Sequence, residues 1–313
     1  MKKRFTILTV FIVLCAVAMG GTAFAGNKIS KIVAFGDSLS DNGWEDGYGF
    51  GVWTNGDVWL EYLADEMGVQ LEDRALGGAK TSGHNSGSTL YGLDWQVNMY
   101  VIQTGVGADL SDTLFVIWAG GNDFLSIQPT DDPAVVIGNG INNIKGSIDN
   151  LLSIGAKNIL VMNLPDLGAA PLNNWHPALA AGATALSNTF NNYLQMMLCS
   201  YVNYLPDHHF YMVDTFELID YIVVNPAKFD FTNVSLSGGG SLGNPNNIPA
   251  GYAFWDAIHP TTAAHQIIAA AACAQVNPQN LSKEMKGLIQ KLNKLQPRQP
   301  LEDACELCSS TAP

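Results

Sequence analysis

The chain has 313 residues, a length that suits one α/β domain or at most two. With 47% hydrophobic and only 14% charged residues, it can bury a large core. Its formal net charge of −13 excludes nucleic acid as the expected partner, because an acidic surface repels phosphate backbones. The same charge disfavours lasting adsorption to anionic membranes and leaves transient contact with zwitterionic lipid open.

The first 25 residues predict an export signal. Residues 2–4 are basic, residues 5–19 are almost wholly apolar, and residues 23–25 form a small-x-small cleavage site. Without this segment the chain keeps 12 basic against 28 acidic residues, a net charge of −16. We therefore expect residues 26–313 to be the mature protein, secreted or periplasmic.

Short apolar segments alternate with segments of helical spacing along the mature chain. The predicted strands are 32–35, 69–75, 113–119, 157–164 and 209–214. The predicted helices are 57–67, 93–104, 133–154, 177–204, 261–276 and 281–295. This alternation is typical of a parallel sheet covered by helices on both faces. Residues 232–250, rich in Gly, Ser and Asn, are expected to form a long irregular loop, which is often functional in a compact domain.

Polar residues follow three of the predicted strands. Ser38 lies after the first strand, the Gly77-Gly78 pair after the second and Asn122 after the third. Since parallel strands present their carboxyl ends at one edge, these groups are expected to converge there. Taken alone, the turn around Ser38 fits a strand end with a helix cap equally well.

An acid and a histidine precede the last Ala-rich helix. Asp256 and His259 are three residues apart, so one turn can aim both side chains inward. A serine nucleophile needs such a base, held by a carboxylate, and it needs donors aimed at the oxyanion. A glycine N–H and the Asn122 amide can supply those donors. The set meets the geometric requirements of acyl transfer.

Four blocks of this sequence resemble, in the same order, those of the GDSL or SGNH hydrolases. They are Gly-Asp-Ser-Leu-Ser-Asp-Asn-Gly at 36–43, Ala-Leu-Gly-Gly-Ala at 75–79, Gly-Gly-Asn-Asp at 120–123 and Asp-x-x-His-Pro at 256–260. The resemblance spans nearly the whole mature chain and implies a three-layer α/β/α, flavodoxin-like fold over residues 26–296.

The resemblance also implies roles for individual residues. Ser38 would be the nucleophile, His259 the general base, and Asp256 the group that orients His259. The oxyanion hole would consist of the Ser38 N–H, the Gly78 N–H and the Asn122 side chain. Gly77 remains an alternative donor if the glycine turn is offset by one residue.

Similarity to secreted bacterial lysophospholipase, lecithinase-like and acyltransferase members implies a cofactor-free carboxylic-ester hydrolase that forms an acyl-enzyme. Lipid, lysophospholipid or choline-type esters are the first expected substrates. One alternative is an esterase that removes acetyl groups from extracellular polysaccharide. Another is a non-catalytic lipid- or glycan-binding protein of the same fold, which a missing catalytic residue would indicate, and none is missing. The oligomeric state is not indicated.

Aromatic residues that follow Ser38 have two interpretations. They fill the core, or they form a wall of the substrate site that cradles an acyl chain or a quaternary ammonium group. These residues are Trp44, Tyr48, Phe50 and Trp53.

Cysteines and histidines outside the blocks are interpreted as structural. Four cysteines of the mature chain predict disulfide bonds, with three pairings open; they are Cys199, Cys273, Cys305 and Cys308. The last two lie in a polar tail, 297–313. His265 is expected to be structural, and Asp123 is expected to hydrogen-bond its own backbone in a turn. The remaining histidines lack metal-ligand spacing, so no metal site is expected.

Overall fold

The structure is a computed structural model that describes residues 29–43, 51–241, 244, 247–276, 280–292, 301 and 305. The strands are β1 Lys31–Gly36, β2 Gln70–Asp73, β3 His84–Asn85, β4 Ser88–Tyr91, β5 Thr113–Trp118, β6 Asn158–Met162, β7 His209–Val213, β8 Asn233–Ser237 and β9 Tyr252–Phe254. The helices are α1 Trp59–Met67, α2 Leu93–Thr104, α3 Gly121–Leu125, α4 Pro133–Ser153, α5 Pro171–Asn174, α6 Pro177–Tyr204, α7 Thr215–Val224, α8 Thr262–Val276 and α9 Lys283–Leu292. Within these ranges no helix is both long enough and apolar enough to cross a membrane.

Five strands form a central sheet in the order β2-β1-β5-β6-β7, and every neighbouring pair is parallel. All five therefore end at the same edge. In the β1–β5 register, Gly36 lies opposite Trp118, so these two strands also end level with each other. The predicted parallel sheet is confirmed.

Alternate residues of β1 enter two separate cores. Ile32 and Ala34 pack with residues of α1, α7, α8 and α9 on one face. Val33 and Phe35 pack with residues of α2, α4 and α6 on the other. Because a strand buried on both faces must be apolar throughout, this packing explains the unbroken apolar run of β1. The result is the predicted three-layer α/β/α arrangement.

Gly36 ends β1 where the backbone passes very close to β5. A Cβ at this position would lie 2.2 Å from the carbonyl oxygen of Trp118, so only glycine fits. The next N–H, of Asp37, donates to that same carbonyl at 3.3 Å. The chain therefore turns directly beside the end of β5 and brings Ser38 to the shared edge.

Several features differ from the expected elements. Helix α7 was not predicted, although its start carries a capping signal: the Asp214 side chain accepts the Glu217 N–H at 2.9 Å. Residues 232–250 are not wholly irregular, because β8 pairs in parallel with β9. The glycine-rich turn after β2 is followed by the antiparallel pair β3–β4, and β5 is followed closely by the short helix α3.

One disulfide bond joins Cys199 of α6 to Cys305, with the Cα atoms 5.2 Å apart. Cys273 of α8 is a buried free thiol, which corrects its prediction as a disulfide partner. The physical reason is the sheet between them, since Cys199 and Cys305 lie in the α2–α4–α6 core and Cys273 lies in the opposite core. Cys308 lies outside the described residues.

Candidate active site

Ser38 lies in the tight turn that follows β1. The carboxylate of Asp37 accepts the Leu39 N–H at 3.0 Å, and the Asp37 carbonyl accepts the N–H groups of Ser40 and Asp41 at 3.0 Å each. These bonds hold the turn while the Ser38 side chain faces the edge of the sheet. Ser38 is 8% exposed and therefore almost buried.

The structure brings Ser38, His259 and Asp256 into one hydrogen-bonded chain. Nε2 of His259 lies 2.8 Å from Oγ of Ser38, and Nδ1 lies 2.7 Å from Oδ2 of Asp256. The other carboxylate oxygen accepts the backbone N–H groups of Ile258 and His259, both at 2.7 Å. Three donors of one loop thus bind the Asp256 carboxylate. Because this carboxylate is held by the backbone, it fixes the orientation of the His259 imidazole.

The segment between residue 51 and α1 braces the His259 loop. The ring of Trp53 lies 5.1 Å from the His259 ring, tilted by 33°. Thr54 donates its hydroxyl to the Pro260 carbonyl at 2.9 Å. Trp53 is thus placed at the site, as one of its two interpretations expected. Trp44, Tyr48 and Phe50 lie outside the described residues.

The glycine turn after β2 presents one free N–H to the site. Gly77 donates its N–H to Oδ2 of Asp41 at 2.7 Å, so this group is occupied. Within the described ranges, the N–H groups of Gly78 and Ser38 meet no acceptor. A Cβ on Gly77 would lie 2.4 Å from Nε1 of Trp53, which explains the need for glycine there. The arrangement favours Gly78 over Gly77 as the donor.

Asn122 lies at the start of α3, close to both neighbouring loops. Its side-chain nitrogen donates to the Ala79 carbonyl at 3.0 Å and to the Asp37 carboxylate at 3.4 Å. The Asp123 carboxylate accepts the N–H of Thr81 at 2.9 Å and its hydroxyl at 2.7 Å. The Asp123 carboxylate also accepts its own backbone N–H, as predicted, and in addition it ties α3 to the glycine-rich loop.

The two acids beside Ser38 and His259 have opposite electrostatic environments. Burial opposes the ionisation of Asp256, but the hydrogen bonds and charge of His259 outweigh it and lower the pKa of Asp256. Burial dominates at Asp37 and raises its pKa to about 7, despite the Leu39 N–H and the charge of His259. Asp256 is therefore ionised at neutral pH, and Asp37 is poised between its two forms.

His265 is separate from this chain of hydrogen bonds. It is fully buried on α8, and its Nδ1 accepts the Trp59 N–H at the start of α1. Burial lowers the pKa of His265 to about 3, so its imidazole is neutral. The structural role expected for His265 is confirmed. Among the described residues, no group of three or more acidic, histidine or cysteine side chains could hold a metal ion.

An apolar cavity of about 380 Å³ opens beside Ser38. One part of its lining is the hydrogen-bonded site itself: Ser38, Gly78, Asn122 and His259. The other part comes from β5, the loop after β6, α7, β9 and α8: Trp118, Leu164, Pro165, Leu167, Ala170, Thr215, Ile219, Phe254 and Ile268. We call this second part the apolar arm. The sequence motifs contain no sign of it, because its residues come from five separated segments.

A parallel three-layer fold with a Ser-His-Asp chain at its strand ends is an arrangement that serine hydrolases use. Residues 32–272 match the family described as GDSL-like lipase/acylhydrolase. The chain therefore belongs to that family, which is one of esterases and lipases.

Curated relatives are similar over part of their length. The chain is 26% identical over 283 residues to a thermolabile hemolysin of Vibrio parahaemolyticus, covering 79% of this chain and 64% of that protein. It is 32% identical over 190 residues to a phosphatidylcholine-sterol acyltransferase of Aeromonas hydrophila, covering 55% and 54%. The chain thus spans less than two thirds of either relative.

A solved structure shows the same fold. It is a variant of an acetyl-xylooligosaccharide esterase from Geobacillus, with a TM-score of 0.50 and 13% identity. The match covers 82% of this chain and 99% of that chain.

Proposed function

We propose that this protein is an exported serine hydrolase of carboxylic esters, with lipid, lysophospholipid or choline-type esters as substrates. The observation that carries the proposal is the chain from Ser38 Oγ through His259 to Asp256, with both links at 2.7–2.8 Å. The name of one relative, a phosphatidylcholine-sterol acyltransferase, supports lipid as the substrate class. The predicted export signal and the disulfide bond support an oxidising, extracytoplasmic location.

The reaction follows from the geometry. Ser38 Oγ attacks the ester carbonyl carbon while Nε2 of His259 takes the hydroxyl proton, and Asp256 stabilises the imidazolium that forms. The oxyanion accepts hydrogen bonds from the N–H groups of Ser38 and Gly78 and from one N–H of the Asn122 amide, which exchanges its long 3.4 Å contact with Asp37 for the oxyanion. Collapse breaks the C–O bond, and the leaving alcohol takes the proton from His259. Water then attacks the acyl-enzyme by the same steps in reverse, releasing the acid and restoring Ser38.

The proposal is tested by assaying p-nitrophenyl butyrate hydrolysis by wild type and Ser38→Ala. We expect a loss of at least about 10⁴-fold in kcat, because no other group replaces the nucleophile. Ser40→Ala is a matched control from the same turn. Its hydroxyl accepts the Trp59 indole N–H, so we expect lower stability by about 1 kcal/mol and retained turnover.

An inactive wild type, or undiminished turnover by Ser38→Ala, contradicts the proposal. Comparing lysophosphatidylcholine, butyrylcholine and acetylated xylan ranks the substrate classes. Adding a sterol acceptor separates acyl transfer from hydrolysis.

A further inference from the structure

The apolar arm of the cavity suits a hydrocarbon chain better than a polar head group. Two polar residues of the cavity lining, Thr215 in the arm and Asp166 beside it, make hydrogen bonds within the protein. The Thr215 hydroxyl donates to the Asn163 carbonyl at 2.6 Å, and the Asp166 carboxylate accepts the Gly168 N–H at 2.8 Å and the Thr184 hydroxyl at 2.7 Å. No lysine or arginine lines the cavity among the described residues, so a phosphate group has no cationic partner there.

The size of the cavity fits an acyl chain of medium length. At ~30 Å³ for a group the size of a water molecule, about 380 Å³ holds roughly twelve such groups. An acetyl group would leave most of this apolar space unfilled.

One wall of the cavity separates it from a second void. A small pocket of about 10 Å³ lies between α7, β8, β9 and α8. Three residues line both spaces: Ile219, Phe254 and Pro260. The Ile219 side chain therefore separates the cavity from the small void.

We infer that the acyl chain of the ester lies in the apolar arm and that Ile219 on α7 limits the chain length the protein accepts. The inference rests on the proposed ester hydrolysis at Ser38 and adds which part of the substrate enters the fold. The carbonyl carbon meets Ser38, and the alcohol part leaves toward solvent. Removing side-chain atoms at Ile219 joins the two spaces, whereas adding atoms there shortens the arm.

The test compares kcat/KM for p-nitrophenyl acetate, octanoate and dodecanoate. In wild type we expect octanoate to exceed acetate by about 100-fold, well inside the limit of about fourfold for each buried methylene. Ile219→Trp should lower that ratio by about 10-fold or more. Ile219→Ala should raise the ratio of dodecanoate to octanoate by about 10-fold.

Leu218→Ala is the matched control. Leu218 is the preceding residue of α7, is 1% exposed and lines neither space. We expect this variant to lose thermal stability and to keep both chain-length ratios of wild type. Ratios that change equally in Ile219→Trp, Ile219→Ala and Leu218→Ala would overturn the inference, because they would reflect general loosening of α7.

A binding measurement separates this inference from the proposed function. Calorimetric titration with sodium decanoate needs no turnover, so it can be done on two inactive variants, Ser38→Ala and Ser38→Ala combined with Ile219→Trp. We expect saturable binding to the first and binding at least about 10-fold weaker to the second. Absence of binding, or equal binding in the two variants, overturns the acyl-chain assignment. If wild type hydrolyses esters but every variant keeps the wild-type kcat/KM ratios between esters, only the chain-length inference fails. If wild type hydrolyses no ester, the proposed function fails.

Discussion

The two sides of Ser38 are built in different ways. On the polar side, hydrogen bonds of 2.7–2.8 Å link the serine to His259 and Asp256, and backbone N–H groups converge on the same carboxylate. On the apolar side, Leu164, Ile219 and Ile268 line a cavity through packing alone. The polar side depends on the direction of hydrogen bonds, and the apolar side depends on the volume of a cavity.

This difference indicates where each property of the protein is encoded. Directional contacts need residues at fixed spacing, so the polar side occupies short contiguous blocks. Volume is the sum of many side chains, so the apolar side is distributed over β5, the β6–α5 loop, α7, β9 and α8. We therefore expect changes on the polar side to alter the rate for every ester, and changes on the apolar side to alter the preference among esters.

The largest effect is expected at Asp256. In Asp256→Asn one carboxylate oxygen becomes an NH₂ donor facing Nδ1 of His259. Nδ1 must then accept a hydrogen bond, which places the imidazole proton on Nε2 and prevents His259 from taking the Ser38 proton. We expect kcat to fall by about 10⁴-fold for acetate and octanoate alike.

The matched control for this change is Asp132→Asn. The Asp132 side chain accepts the Ala134 N–H at the start of α4, a bond that Asn can also make. We expect wild-type rates from it. A strong loss on octanoate alone in Asp256→Asn would break the distinction between the two sides.

The contrast also explains what the sequence could predict. The parallel sheet follows from apolar strands alternating with helices, and the structure confirms it. The convergence of Ser38, Gly78 and Asn122 follows from a topological rule, since parallel strands end at one edge, whereas His259 comes from the loop before α8, outside that sheet. The helix over residues 133–153 forms despite its glycines, because Gly140 packs against Phe190, where a Cβ would lie 2.9 Å from the ring.

Other features depend on contacts that no short sequence pattern contains. The selection of Gly78 over Gly77 rests on one hydrogen bond from Gly77 to Asp41, 36 positions earlier. The pairing of β8 with β9 joins two segments separated by a Gly- and Asn-rich stretch that has weak strand propensity. The apolar arm is a space between side chains, and hydrophobic periodicity reports which residues are buried but not where packing leaves a void.

A smaller effect concerns Asp37 on the polar side, whose burial lowers the free energy of unfolding at neutral pH. Since burial raises the pKa of Asp37 to about 7, the folded protein keeps a proton that the unfolded chain releases above about pH 4. The contribution of Asp37 to the free energy of unfolding should therefore fall as pH rises from 4 to 7 and level off above that. A shift of about three pKa units corresponds to roughly 4 kcal/mol.

Asp37→Asn tests this directly, because the amide imitates the protonated acid. Urea unfolding of both proteins at pH 4.5 and pH 8 gives the stability of the Asp37→Asn variant relative to wild type at each pH. We expect that difference to be more favourable to the variant at pH 8 by about 3 kcal/mol. Other buried acids, including Asp73, are present in both proteins and cancel. A difference that does not change with pH would contradict a raised pKa at Asp37.

The smallest effect is expected at Asp41, which holds the glycine turn that carries the proposed oxyanion donor Gly78. Its carboxylate accepts the Gly77 N–H at 2.7 Å and the Gly43 N–H at 2.9 Å. In Asp41→Asn one of these N–H groups faces an NH₂ group, so the turn that presents the Gly78 N–H must shift. We expect kcat to fall by about 10-fold with KM nearly unchanged, because the contact matters most when the oxyanion forms.

Asp109→Asn provides the control for Asp41, since the exposed Asp109 carboxylate also accepts a backbone N–H, from Ser111 at 3.1 Å. Assays of octanoate and acetate well below the unfolding temperature separate positioning from loss of fold. The loss in Asp41→Asn should be equal for both esters, because the oxyanion is common to them. A change in the octanoate-to-acetate ratio would instead connect Asp41 to the apolar arm, and the two sides of Ser38 would then be coupled through the glycine turn.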